Sequence, residues 1–310
     1  MKKLLKSFAG LVKDYLFSDL KRAACLQEKS LILLARLSID RIKALDVRSG
    51  LAEAEFSVFS QWGEDGIIQF LLQHIPIEER SFVEFGVEDY TEANTRFLLV
   101  NNNWRGLVID GNPAAISRIR TSEIYWRHDL TAVCQFLTRQ NINEVIENAG
   151  FSGDIGLLSI DIDGNDYWIW QAIDAVKPRI VICEYNSLFG VRYAVTIPYT
   201  PDFCRTKAHY SNLYFGASLP ALCRLAEAKG YDFVGSNSVG TNAFFVRKDL
   251  NHPFNRLSAE QGYVASTIRE SRDQDGRLTY ISGDERRDLI KHLEVYNVDS
   301  GTLCILNDLW

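Results

Sequence analysis

Acidic side chains recur at one kind of place in this sequence, directly after short apolar runs. Glu84 and Gly86 close the run SFVEFG, and Asp110 closes GLVID, 26 residues after Glu84. His128 and Asp129 follow the short run at 124–126. Asp161 and Asp163 end IGLLSID, and Glu184 and Asn186 end RIVICE. Turn formation alone would favour Gly, Asn and Ser at such positions, so this series points to binding or catalysis. Asp161, Asp163, Glu184 and Asn186 together form a candidate Mg²⁺ site, since a hard cation takes oxygen ligands and leaves positions for water and substrate. A cation there lowers the pKa of a bound hydroxyl and orients it. A general base is the alternative. His209, in RTKAHY, titrates near neutral pH when unperturbed. Asp161 stands with it as the second candidate catalytic group. The competing structural reading makes 163–166 a turn, with Asp166 as the N-cap of the helix that follows.

The elements that must carry these residues follow from periodicity. Strands are expected at 81–85, 106–110, 124–126, 155–161 and 179–184, with helices at 114–120, 130–148 and 166–175 between them. Pro113 suits the first position of its helix. A further helix at 219–229 and two strands at 231–234 and 243–247 then form a closing hairpin on the sheet edge. Strand–helix alternation predicts an α/β fold with a doubly wound, mostly parallel, Rossmann-like sheet. In such sheets ligands bind beyond the carboxyl ends of the strands. The expected division is an N-terminal helical extension over 1–50, the α/β domain over 51–250, and a mixed helical tail over 251–310. The extension reads as two helices, the second over 30–45 with Leu33, Leu34, Leu37 and Ile42 on one face.

An acid after the second strand is the usual partner of a ribose diol. The first turn, however, reads Glu84-Phe85-Gly86-Val87-Glu88-Asp89. It lacks the GxGxxG fingerprint, and its three acids would repel a pyrophosphate. A ligand with a ribose, an adenine and a positive centre suits it better, and S-adenosyl-L-methionine has all three.

Three segments in order, FVEFGVEDYTEANTRFLL, NNWRGLVIDGNP and GLLSIDIDGNDYWIW, resemble the FkbM-type branch of class I SAM-dependent methyltransferases. FSQWGEDGIIQFLL, just upstream, is similar to the SQ-x-G-x-D entry segment of that branch. The resemblance covers about residues 56–250 and implies O-methylation of a sugar, sugar nucleotide or surface-glycan precursor. It implies that Glu84 and Gly86 face the amino-acid end of SAM, with Gln61 and Asn94 near the methionine portion. Asp110 would hold the ribose hydroxyls, and Asp129 would accept from the adenine amino group with Leu130 against the ring. Two departures stand out: the first turn has a single Gly, and the fourth motif reads DIDGND where relatives show D-x-E-G.

Two other functions compete. Asp161-Ile162-Asp163 is a DxD, which in glycosyltransferases holds Mn²⁺ and a nucleotide diphosphate. A non-catalytic scaffold of the same fold in a glycan-assembly complex is the other.

Composition sets the limits. The 310 residues carry 34 basic and 40 acidic side chains, a formal charge of −6, with 46% hydrophobic residues. These values exclude a disordered chain and a general nucleic-acid-binding footprint. The six cysteines form no CxxC pair, which argues against a zinc site or disulfide framework and fits a reducing cytoplasm. Residues 1–24 hold six Lys or Arg against two Asp. Their apolar stripe fits a helix packed on the domain or on a second subunit in a homo-oligomer, or one lying peripherally on the inner membrane face. No apolar stretch reaches the roughly 20 residues of a membrane span.

Overall fold

A computed structural model describes residues 2–309, with side chains described from Asp19 onward, Lys21 excepted. Ten strands are present among these residues: β1 Ser81–Phe85, β2 Arg105–Asp110, β3 Leu130–Cys134, β4 Gly153–Ile160, β5 Val176–Glu184, β6 Val195–Thr196, β7 Tyr231–Ser236, β8 Asn242–Arg247, β9 Glu294–Asn297 and β10 Thr302–Ile305. The helices are α1 Lys2–Ile42, α2 Leu51–Ala54, α3 Glu64–His74, α4 Arg96–Asn102, α5 Pro113–Thr121, α6 Glu123–Arg127, α7 Ile142–Asn148, α8 Asp166–Ala172, α9 Arg205–Ala208, α10 Leu219–Lys229, α11 Ala259–Gly262 and α12 Asp284–Ile290.

Seven strands form one sheet in the order β3-β2-β1-β4-β5-β8-β7. The first five are parallel, while β8 runs antiparallel to both β5 and β7. Strand order reverses between β1 and β4, so the carboxyl ends of those strands border a crevice. The near-continuous apolar character of β1, β2, β4 and β5 follows from helices covering both faces. On one face Val83, Phe85, Leu107, Ile109 and Leu158 pack with Ile142 and Ile146 of α7 and Ile169 of α8. On the other, Phe82, Val108, Leu157 and Ile180 pack with α3 and α5 through Ile67, Phe70, Ile116 and Ile119. The fold is the expected doubly wound, Rossmann-like sheet with an antiparallel edge hairpin.

Local expectations needed correction at four places. The 124–126 run is helical, within α6, and the third strand is β3, one step later; the helix expected over 130–148 is reduced to α7. Leu130, Thr131 and Val133 find parallel partners along β2, and this pairing overrides the local pattern. The expected pair of N-terminal helices is one helix, α1. Its inward face is Ala35, Ile39 and Ile42, set against Phe59, Phe97 and the α3 side, whereas Leu33 and Leu37 are 61% and 67% exposed. The apolar stripe expected over 1–24 falls on side chains mostly outside the described ones. Finally, the mixed helical tail holds two strands beside its short helices. Its β9 pairs with β10 and with β6, forming a three-stranded sheet that joins the tail to the α/β body. Among the described residues no helix is long and apolar enough to cross a membrane.

Candidate active site

A cleft of about 920 Å³ lies beyond the carboxyl ends of β1 to β5, of a size that suits a small-molecule ligand. Its floor is built by β1 and β4 at close quarters. The Gly86 amide donates to Ile109 O at 3.0 Å, which ties the first turn to β2. Gly86 has φ +74°, and a Cβ placed on it would lie 1.6 Å from the Asp161 carbonyl oxygen. Glycine is therefore required here both by backbone conformation and by the approach of the next strand.

Glu84, at the end of β1, folds the loop above itself. Its Oε1 accepts from the Asn94 amide at 2.9 Å, and its Oε2 from the Thr95 amide at 3.1 Å and the Thr95 hydroxyl. Asn94 Nδ2 in turn donates to Ser159 Oγ at 3.1 Å. Burial raises the Glu84 carboxyl to about 7, opposed by these hydrogen bonds. Both residues line the cleft, but their side chains already carry structural duties.

Asp110 is placed by the end of β2. Its two oxygens accept from the amides of Glu88 at 2.8 Å and Asn112 at 2.7 Å. Each carboxylate oxygen keeps a lone pair, so a diol can still be held. Asn112 caps α5 by accepting from the Ala114 and Ala115 amides, with Pro113 at the first helical position as expected.

Asp129 does not reach this site. It precedes β3, at the amino end of that strand, and it is exposed, 3.9 Å from Arg105. The residues at the carboxyl end of β3 are Gln135, Phe136 and Leu137, and these line the cleft. Phe136 is 51% exposed there and lies beside Gly111, where a Cβ would sit 3.3 Å from the Phe136 ring. An exposed ring at this point is a ready face for a flat heterocycle. The sequence signal for these residues is LTAVC followed by QFL, a strand and the turn at its carboxyl end.

At the far end of the cleft Asp161 and Glu184 line the wall, and Asp166 is buried behind it, each of the three offering an oxygen within 4.8 Å of the others. Burial, together with repulsion from Asp163 and Asp166, drives the Asp161 and Glu184 carboxyls well above the usual range, and Asp161 adds to the rise at Glu184 while a hydrogen bond from Glu184 opposes it at Asp161. Glu184 Oε2 has no hydrogen-bond partner. Asp166 is not an N-cap; it is the first residue of α8, and its oxygens accept from the Ile162 and Gly164 amides at 2.8 and 2.9 Å. Burial raises its carboxyl to about 6.

Two of the expected cation ligands do not join this group. Asp163 turns to Arg205 in an ion pair. Asn186 is buried and its amide is fully used: Oδ1 accepts from Leu188 N, and Nδ2 donates to Leu213 O and Phe215 O. His209 also lies away from the cleft lining, with Nδ1 2.7 Å from Ser211 Oγ and its ring 5.8 Å from that of His292. Burial and His292 lower its pKa. The expectation of His209 as base therefore finds no support in its position, and the third acid beside Asp161 and Glu184 is Asp166, expected only as a helix cap.

The remaining wall comes from residues 203–206. Asn165 Nδ2 donates to Thr200 O at 2.9 Å. Phe203 packs over Gly164, where any Cβ would come within 2.2 Å of its ring. Gln61 reaches the rim from the segment before α3. That segment is held by Asp65, which accepts from the amides of Val58, Phe59 and Ser60.

No family model matches the chain, and no curated protein matches it. Solved structures similar to it share little sequence. The N-terminal domain of EvdMO1 with SAH bound is 11% identical, with 68% of this chain and 94% of that one covered and a TM-score of 0.38. PKMT2 from Rickettsia typhi in complex with AdoHcy is 9% identical, covering 64% and 55%, with a TM-score of 0.40. An S-adenosylmethionine-dependent methyltransferase from Clostridium acetobutylicum ATCC 824 is 9% identical, covering 55% and 85%, with a TM-score of 0.35. Likeness at this level assigns no activity, which has to be argued from the cleft itself.

Proposed function

We propose that the chain is an S-adenosyl-L-methionine-dependent O-methyltransferase whose acceptor is a hydroxyl of a sugar or glycan precursor. The observation that carries this is one continuous cleft that joins Asp110 and Phe136 at one end to Asp161 and Glu184 at the other. Asp110 is suited to the ribose diol, Phe136 to the adenine face, and the acidic turn from Glu84 to Asp89 to the cationic methionine portion. That turn offers no cradle for phosphate.

Bound there, S-adenosylmethionine supplies a methyl group made electrophilic by its sulfonium. Asp161 and Glu184 stand where an acceptor hydroxyl would approach. Asp161 or Glu184 would take the acceptor O–H proton on a carboxylate oxygen, leaving the acceptor oxygen free to accept the methyl group. The raised pKa of the pair makes its ionised form a stronger base than an ordinary carboxylate. Holding both partners in line contributes through orientation.

The donor set Asp161, Glu184 and Asp166 also fits a hard divalent cation, since three carboxylate oxygens lie within 4.8 Å and Glu184 Oε2 is unspent. Held there, Mg²⁺ would acidify the acceptor hydroxyl. The glycosyltransferase alternative loses its main support, because Asp163 of the DxD is engaged with Arg205 while Asp161 faces Glu184.

Calorimetric titration with SAM and S-adenosylhomocysteine tests the proposal. Binding in the micromolar range, lost in Asp110→Ala, is expected. Absence of heat with either ligand, together with binding of a UDP- or GDP-sugar and Mn²⁺, would replace it with the glycosyltransferase.

A further inference from the structure

The cleft is strongly one-sided in charge. Nine of its lining residues carry carboxyl groups, five at the S-adenosylmethionine end and four, Asp161, Asp163, Glu184 and Glu270, at the acceptor end, and one, Arg205, carries a permanent positive charge. That charge is already committed. Arg205 pairs with Asp163, lies 4.0 Å from Glu270, donates from Nε to Asn212 O at 2.8 Å, and stacks 3.9 Å over the Phe215 ring. An anionic acceptor would meet many carboxylates and no free cation.

A second and independent feature points the same way. Three buried acceptor atoms at the acceptor end have no partner: Glu184 Oε2, Asn165 Oδ1 and Asn242 Oδ1. Asn165 and Asn242 are only 4% and 6% exposed, and both line the cleft. Their orientation is fixed by chemistry. Asn165 Nδ2 faces the Thr200 carbonyl, and Asn242 Nδ2 faces the Glu64 carboxylate at 2.9 Å. Flipping either amide would set oxygen against oxygen. The unpartnered atoms are therefore carbonyl oxygens that can only accept. Glu184 and Asn242 are also direct cross-strand partners on β5 and β8, so two of the three acceptors stand side by side.

We propose that the acceptor is a hydroxyl compound that carries a protonated amine and no phosphate, in chemical class an amino sugar. The ammonium would sit between Glu184 and Asn242, and a further donor of the ligand would reach Asn165. This rests on the methyltransferase reading for the direction of methyl transfer and narrows it: a nucleotide-linked or phosphate-bearing sugar is expected to bind more weakly than the free amine.

The test compares glucosamine, N-acetylglucosamine, glucosamine 6-phosphate and UDP-N-acetylglucosamine by calorimetry on the full chain. Each is run at low ionic strength, with and without S-adenosylhomocysteine, and with EDTA or Mg²⁺. Glucosamine is expected to bind about tenfold or more tightly than its N-acetyl counterpart, the size of one charge-assisted hydrogen bond. Its affinity should fall with added salt, and both phosphate-bearing probes should bind more weakly than glucosamine in every condition. Glu184→Gln should erase the preference for the free amine, and Asn242→Leu serves as the second variant if that one fails to fold. Equal affinity for glucosamine and its N-acetyl form, no binding of either, or tighter binding of a phosphate-bearing probe with or without Mg²⁺ overturns the proposal. Failure of the homocysteine ligand to bind would instead count against the methyltransferase reading, and the comparison without it would still judge the amine.

Discussion

Replacing Gly86 by Ala should both unfold the protein more easily and close the site. The added Cβ would lie 1.6 Å from Asp161 O and 2.8 Å from Asp161 C. Carbon–oxygen contacts need about 3 Å or more, so β1 and β4 must part by more than an ångström at their carboxyl ends. The Gly86 amide is held by Ile109 O at 3.0 Å, and the movement would break that bond or drag β2 along. Three contributions then add. A left-handed alanine costs about 1 kcal/mol, overpacking about 1–3, and a weakened buried hydrogen bond about 1. The expected loss is about 3–5 kcal/mol, against a typical total of about 5–15. Gly153→Ala separates these effects, because Gly153 also has positive φ, +68°, but has nothing within 4 Å of its added Cβ. That control should cost about 1 kcal/mol and leave ligand binding alone. Urea unfolding followed by circular dichroism gives the stabilities, and titration with S-adenosylhomocysteine gives the site. If the two alanine variants lose equal stability and Gly86→Ala still binds the ligand normally, the close approach of the two strand ends is refuted.

Other consequences follow from the buried acids. Asp65, Glu84 and Asp166 have carboxyls raised to about 6, 7 and 6 by burial. A raised folded-state pKa means their contribution is fully present below about pH 4 and is lost as pH climbs through 6 to 7. Unfolding free energy should therefore decline from pH 5 to 8, and Asp65→Asn should flatten that decline by about 1.5 kcal/mol, roughly half of the full linkage having been lost already below pH 5; an unchanged slope in that variant would refute the assignment. Titration with Mn²⁺ should show a site lost in Asp161→Asn and Glu184→Gln but kept in Asp163→Asn, and equal loss in all three would return Asp163 to the ligand set. Asn186→Ala should cost about 2–4 kcal/mol by urea unfolding, because three buried partners lose their hydrogen bonds, while homocysteine-ligand affinity stays the same; a variant as stable as the parent would contradict the hydrogen bonding seen. His209→Ala should leave methyl transfer within about twofold, whereas Glu184→Gln should lower it about 10²-fold or more; the reverse order would restore His209 as base.

The sequence by itself determined where most of the sheet runs and which strand ends carry chemistry. Strands β1, β2, β4 and β5 are buried on both faces, so each reads as an apolar run, and Glu84, Asp110, Asp161 and Glu184 follow from where those runs stop. Helix α10 and the β7–β8 hairpin were also legible, because Ser218 and Gly230 punctuate the helix and both strands are apolar. Only the tertiary structure decided the rest. β3 was misplaced because LTAVC has no strong local pattern and becomes a strand only by pairing with β2, and with it went Asp129, while Phe136 was gained. Asn186, His209 and Asp163 looked available as isolated residues. Whether a polar side chain is free depends on partners far away in sequence, such as Leu213, Ser211 and Arg205, and no local spacing records those. The inward face of α1 was chosen in the same way. Its helical period permits several apolar stripes, and contact with Phe59 and Phe97 selected Ala35 and Ile39 over Leu33 and Leu37.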